Sequence, residues 1–449
     1  LRFSLVLAAL ALASCSRART ESHPQAAAPA EHPAEASVAR APAFDPRARD
    51  AGTARPPPDL DVILVSIDSL RADMPWAGYP RPIAPRLTEL ESRAVSFTRA
   101  YAVSSYTSMS LGGLLGGKYP GELKRDGFFF GTYPKEDLFF PEILQAAKIH
   151  TLGAHAHGYF RDPTFQQGFD RWEVVPNLKW SNTTDENITS PAQEALAEKL
   201  LSERACDDGR FFAWFHFMDP HDQYQSHDGV PSFGKTARDR YDGEVAFTDR
   251  YVGKLLDFVA SRPWGARTAI IVTADHGEAF GEHRQVAHGF ELWENLVRVP
   301  LFVVVPGAAP RHVDARRSAI DLAPTILDLF GLPPEPTFEG QSLVPELYGA
   351  PAEARDVVLD LPATSDSDRR RALIHGKDKL IAFGDDTAFR LFDLDLDPAE
   401  NSGATRGDLF AEMLGRYKAL SKSLKDVAPY NCKEGCLNGA YLKKDAGTE

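Results

Sequence analysis

Four residues of this chain could do chemistry together: Asp68, Thr107, Asp275 and His276. Asp68 closes the apolar run DVILVSID, and Asp275-His276 closes a second, TAIIVTADH. In parallel sheets ligands gather outside the carboxyl ends of strands, so both acids are expected at one crevice. Two carboxylates and an imidazole form a ligand set for a divalent cation, and the imidazole suits zinc or manganese better than calcium, which prefers oxygen shells. A structural polar cluster is the plainer alternative. Thr107 lies in YAVSSYTSMSLGGLLGGKYP, where a turn into a helix is predicted. A neutral hydroxyl is a poor nucleophile at neutral pH, but contact with a metal favours its deprotonation. Amides at the helix start would help to bind an anion. Thr107 or Ser108 could equally do no more than cap that helix.

The elements that must position these residues are legible as alternating runs. Val62–Ile67, Phe211–Phe217, Thr268–Thr273 and Leu301–Val305 read as strands covered on both faces. Ile83–Ala94, Pro191–Leu201 and Tyr241–Phe258 have helical spacing. Phe139–Ala147 reads as a short helix followed by a turn into HTLGAHAHG. This alternation predicts an α/β fold, a mostly parallel sheet flanked by helices. Beyond about Gly349 the texture changes. RALIHGKDKLIAF and DTAFRLFDLDLDP are predicted as two antiparallel strands joined at Gly384-Asp385-Asp386, followed by a helix near Leu409–Leu424. The resulting division is 59–349 for a catalytic domain and 350–449 for a small C-terminal antiparallel α+β subdomain and tail.

The 449-residue chain has a formal charge of −13, so it offers no basic field to draw a nucleic acid. Arg2 and the apolar run Leu5–Ala13 read as an export signal too short to span a bilayer. The run ends Leu12-Ala13-Ser14-Cys15, which resembles a bacterial lipobox; residues 1–15 are therefore expected to be a lipoprotein-type signal, with membrane attachment through a lipidated Cys15. An ordinary cleaved signal is the other reading. Residues 16–58, rich in Ala, Pro, Arg and Glu, are expected to form a disordered tether, with the protein periplasmic or attached to the outer membrane. Cys432 and Cys436 would form a short-loop disulfide in an exported protein, leaving Cys206 unpaired.

From about Asp61 to Pro398 the chain resembles the sulfatase family of the alkaline phosphatase superfamily. The resemblance rests on DVILVSIDSLRAD, LLGGKYP, HFMDPHDQY, RYDGEVAFTDRYVGKLLDF, TADHGEAFGEH, HGFELWENLVRVPLFV, DLAPTILDLFGL and RLFDLDLDP, in that order. It implies an alkaline-phosphatase-like α/β domain, a four-stranded C-terminal subdomain and one divalent metal. The family's strand-end metal acid falls on Asp68, a preceding acid falls on Ile67, and the later pair falls on Asp275 and His276. His221 falls at a substrate-oxygen or leaving-group contact, and His288 where the family places a basic group beside the substrate.

The departures are as informative. The family's Cys-x-Pro-x-Arg or Ser-x-Pro-x-Arg, whose first residue becomes formylglycine, falls on Thr107, Met109 and Leu111. Threonine cannot undergo that conversion. The family's lysine falls on Ala154, with His155 and His157 nearby. A metal-bound threonine has precedent in phosphodiesterases and phosphoethanolamine or glycerophosphate transferases of the superfamily. Asp219, His221, His283 and His288 could add a second metal. The acids Asp242, Glu244 and Asp249, on one predicted helix, are more simply solvent-facing or structural, and Arg298 is expected to pair with a structural acid.

The expected function is a metal-dependent, formylglycine-independent hydrolase of sulfate or phosphate esters. Its catalytic residues would be Thr107, His221 and His288, and its metal ligands Asp68, Thr107, Asp275 and His276. Its substrate would be a small-molecule, glycan or lipid ester. A phosphoryl-group transferase of the cell envelope and a catalytically inactive binding protein are the alternatives.

Overall fold

The computed structural model describes residues 55–127, 131–179, 187–204, 209–403 and 407–429, with two short strands at Cys436–Leu437 and Ala440–Tyr441. The predicted signal, most of the tether, Cys15, Cys206 and the side chains of Cys432 and Cys436 lie outside the described residues.

The central sheet has eight strands. In chain order they are Asp61–Ile67 (β1), Val95–Phe97 (β2), His150–His155 (β3), Arg171–Val174 (β4), Phe211–Phe217 (β5), Thr268–Ala274 (β6), Leu301–Val304 (β7) and Arg311–Val313 (β8). Their spatial order is β8-β2-β7-β6-β1-β5-β3-β4, and only β7 runs against the others. The segment HTLGAHAHG, predicted as the product of a turn, supplies β3 and pairs with β5.

Side chains alternate across a strand, and β1 divides two cores accordingly. Val62 and Leu64 pack with Leu111, Leu114 and Leu115 of helix Thr107–Gly116, with Phe140 and Leu144, and with Leu322 and Ile326. Ile63, Val65 and Ile67 pack on the other face with Leu87, Leu200, Val245 and Val252. Helices therefore cover both faces: Pro85–Ser92 (α1), Thr107–Gly116 (α2), Phe140–Ala146 (α3), Ser190–Arg204 (α4), Ala237–Ala260 (α5) and Leu322–Leu329 (α6). Helix α5 begins four residues before the predicted start at Tyr241 because Thr236 and Asp239 form a capping box. Asp242, Glu244 and Asp249 are structural and buried rather than solvent-facing. Asp242 binds Arg81, Arg238 and Tyr79; Glu244 binds His227; Asp249 accepts the amides of Arg86 and Leu87, capping α1 from a neighbouring helix. Among the described residues no helix is long and apolar enough to cross a membrane.

The C-terminal part is a four-stranded antiparallel sheet, Val357–Leu361 (β9), Arg370–His375 (β10), Asp378–Phe383 (β11) and Ala388–Asp393 (β12), with helix Gly407–Ser423 (α7) against it. The segment RALIHGKDKLIAF, predicted as one strand, is itself a hairpin turning at Gly376, whose φ of 55° suits a glycine. Lys379 on β11 is wholly buried; its Nζ lies 3.0 Å from Glu294 Oε1 and 2.9 Å from Glu400 Oε1. Removing one member of a buried ion cluster leaves uncompensated charge. Lys379→Met should therefore lower the unfolding free energy by about 3–5 kcal/mol, read from the guanidinium midpoint.

Candidate active site

Strand register brings the acids together. Ile67 pairs with Ala274 across the parallel β1–β6 ladder, so the next residues, Asp68 and Asp275, emerge side by side. His276 follows directly. Its Nδ1 lies 2.9 Å from the Gly277 carbonyl; donating a proton there leaves the Nε2 lone pair facing the two acids. Ser69 adopts a left-handed φ of 57°, and its amide donates to Asp275 Oδ1 at 3.3 Å.

Helix α2 delivers the hydroxyl. Thr107 is its first residue, and all ten of its residues are buried. Glycine at 112 permits this close seating, because a Cβ there would stand 2.3 Å from the Tyr133 ring. Tyr133 Oη in turn donates to the Ser108 carbonyl at 2.9 Å. Thr107 Oγ1 sits 2.9 Å from His276 Nε2 and 3.4 Å from Asp68 Oδ2. Tyr106 precedes the helix without a side-chain cap bond, and Thr107 itself is turned into the cluster.

The donor set fits a divalent cation. Ligand atoms of Asp68, Asp275 and His276 all lie within 4.8 Å of one another. Asp275 Oδ2 is buried and has no hydrogen-bond partner, an unmet acceptor that a positive charge would satisfy. Electrostatics agree. Burial, then the neighbouring Asp68, push the Asp275 carboxyl well above the usual carboxylate range. Burial opposes ionisation of Asp68 as well, but the hydrogen bond from His216 and the charges of His276, His221 and His216 together outweigh it and hold Asp68 well below that range. Burial and the neighbouring His288 push His276 down to about 3, so its imidazole is neutral and free to ligate.

Two more histidines close the site. His288 stacks on His276 with ring centroids 4.1 Å apart and meets His221 edge-on at 5.0 Å. Burial disfavours the charged form of His288, but Glu278, 3.3 Å from its Nδ1, raises its pKa. The other members proposed for a second metal do not join them. Asp219 spends Oδ1 on the Thr189 amide and hydroxyl and Oδ2 on the Ser190 amide, capping α4. His283 stacks on Trp293 at 4.1 Å. Arg298 binds the Thr98 carbonyl rather than an acid. His155 is buried among Phe160, Trp172 and Trp214. His157 lies nearer the site, and burial with the charge of His221 lowers it to about 3.

Three contributors were missed in the sequence. His216 supports Asp68 at 3.3 Å and is itself fixed by Ser66 at 2.7 Å. Glu278 supports His288. Tyr159 is half-buried, with its hydroxyl buried and unpartnered; burial, then Asp275 and Asp68, raise its pKa and keep it a proton donor. Ser66 and His216 are register partners in adjacent strands, and polar residues inside runs otherwise covered on both faces are a usable signal. Tyr159 gives none.

A family model described as Sulfatase matches residues 61–332, and one described as N-sulphoglucosamine sulphohydrolase, C-terminal, matches residues 281–427. The chain is 25% identical over 342 residues to an ulvan-active sulfatase of Formosa agariphila, covering 64% of this chain and 65% of that one. It is 31% identical over 253 residues to a choline-sulfatase of Rhizobium meliloti, covering 51% and 49%. The chain thus spans about half to just under two thirds of the length of these relatives. Its fold is similar to the crystal structures of Ps i-CgsB (TM-score 0.68, 19% identity, covering 83% and 94%) and of the phosphonate monoester hydrolase of Agrobacterium radiobacter (TM-score 0.67, 19% identity, covering 81% and 95%).

Proposed function

Because the chain belongs to the sulfatase family, we propose that it is a metal-dependent hydrolase that cleaves sulfate or phosphate esters by attack of Thr107. The observation that carries this reading is the Thr107 hydroxyl set 2.9 Å from His276 Nε2 within the Asp68–Asp275–His276 cluster. Asp68, Asp275 and His276, with Thr107, would hold the cation; the mixed carboxylate and imidazole set favours zinc or manganese. When bound, the ion supplies the positive charge that favours loss of the hydroxyl proton and offsets charge on the ester oxygens.

The chain's own groups do the rest. Thr107 Oγ1, its proton passed to solvent water, bonds to the sulfur or phosphorus while the bond to the ester oxygen breaks. His221 gives a proton to the departing oxygen. His288, whose charged form Glu278 favours, faces the remaining oxygens, and water then releases the group from Thr107. Threonine excludes formylglycine, and Leu111 stands where the family carries its supporting arginine. Direct hydroxyl attack is more natural for a phosphoester than for a sulfate ester. The test is a panel of aryl sulfate and aryl phosphate mono- and diesters with zinc or manganese and no alcohol acceptor. Turnover of the phosphoesters is expected; no turnover of any ester by metal-loaded protein would sink the reading.

Tyr159 serves here as a hydroxyl donor to the developing charge. Tyr159→Phe should lower kcat about 10²-fold with KM nearly unchanged, measured by steady-state kinetics. Export and tethering through a lipidated Cys15 complete the proposal. Labelled palmitate that remains on a Cys15→Ala protein would contradict the tether.

A further inference from the structure

A second cavity lies apart from the catalytic cluster, between the loop after α2 and the C-terminal sheet. Its volume is about 420 Å³, and its lining includes Arg125, Arg369, Arg371 and Asp426 but none of Asp68, Thr107, Asp275 or His276. Its walls are tied together. Val427 donates to the Gly121 carbonyl at 2.7 Å, and beside the cavity Ser365 donates to the Gly127 carbonyl at 3.0 Å.

The charges in it are unequally matched. Arg371 is fully engaged: Nε binds Asp360 Oδ1 at 2.9 Å, and the two terminal nitrogens bind Asp426 at 2.6 and 3.2 Å. Arg369 binds Asp386 Oδ1 at 2.7 Å, and its Nη1 stands 3.8 Å from Asp426. Asp360 also accepts the Gly121 amide at 2.6 Å. The remaining lining acid, Asp385, is exposed on its turn. Arg125 has no such partner. It is only 4% exposed, its Nη1 is buried without a hydrogen bond, and among the described residues none forms an ion pair with it.

A guanidinium cannot shed its proton to escape burial, as a lysine or histidine can. A buried cation is retained when an anion or a hydrogen-bonding partner completes it. The fork of guanidinium donors matches a carboxylate, sulfate or phosphate group bidentately. The volume falls within the roughly 300–1,000 Å³ of ligand pockets and exceeds what a bare ion needs. We propose that this cavity is an oxyanion-binding site in which Arg125 receives the acidic group of a small ligand, such as an acidic sugar unit. The proposal is independent of the Thr107 reading, because neither the site nor its test involves turnover.

Two probes test it on the full chain: selenate soaked into crystals, and glucuronate or sulfate titrated in solution. Selenate is expected to give an anomalous peak within hydrogen-bonding distance of Arg125. Glucuronate or sulfate is expected to raise the melting temperature of wild type, and Arg125→Met should weaken that binding about tenfold or more. Arg125→Met without anion should melt no lower than wild type, since it removes an unpaired charge. An empty cavity after soaking, or a peak at crystal concentration with identical stabilisation of wild type and Arg125→Met in solution, would overturn the proposal. It would leave water as the partner of Arg125. If Arg125→Met fails to fold, the selenate map of wild type decides alone.

Discussion

Thr107→Ala is expected to lower kcat/KM at least about 10³-fold toward every ester the protein turns over, while its unfolding midpoint stays near that of wild type. The two effects separate because they differ in size. The Thr107 hydroxyl meets His276 at 2.9 Å and Asp68 at 3.4 Å, and a hydrogen bond of this kind contributes on the order of 1 kcal/mol to folding. A 10³-fold loss of rate corresponds to about 4 kcal/mol of transition-state stabilisation, which no change in folded fraction could mimic. Thr107→Ser keeps the hydroxyl and should keep most of the activity. Ser108→Ala is the control. The Ser108 hydroxyl is buried and unpartnered, and Tyr133 binds the Ser108 carbonyl, so this variant should remain active. Full activity in Thr107→Ala with loss in Ser108→Ala would move the nucleophile by one residue.

The reason Thr107 could be picked out lies in the elements around it. Strands β1, β5 and β6 are covered on both faces, so they read as unbroken apolar runs, and the residue after each run must stand at the crevice. Asp68, Asp275 and His276 were therefore legible with the fold. Helix α2 was legible as a helix, but the glycines that seat it against Tyr133 and Val103 show their purpose only in three dimensions. Groups that act across the fold were not legible. Glu278 reaches His288 through a local reversal at residues 279–287, and Tyr159 arrives on a short turn after β3. Asp219 misled because a strand-end acid can cap a neighbouring helix as readily as it can bind a metal, and here α4 claims both of its oxygens. The hairpin within RALIHGKDKLIAF was missed because a two-residue turn at Gly376-Lys377 interrupts the apolar pattern so little.

Asp275→Asn should reverse its effect on stability with the metal content of the solution. In chelator, the wild-type site holds two buried carboxylates, with Asp275 Oδ2 facing no donor. Asparagine keeps the oxygen that accepts the Ser69 and His276 amides at 3.3 and 2.9 Å and places an amide NH₂ where the unpartnered oxygen stood. The variant therefore replaces a buried carboxyl that resists ionisation beside Asp68 with a neutral amide, without opening a cavity, and should be more stable than chelated wild type by about 1–3 kcal/mol. With zinc or manganese present the order should invert. Wild type gains the binding free energy, whereas the variant has lost one anionic ligand and should bind at least about 10²-fold more weakly. Melting curves in chelator and in each metal, with metal content from elemental analysis, decide the matter. Activity should fall at least about 10³-fold in the variant, because the cluster that activates Thr107 is incomplete. If Asp275→Asn is less stable than wild type in chelator and binds the same amount of metal, the cluster is a structural polar network, and Thr107 is a helix-start residue with nothing to activate it.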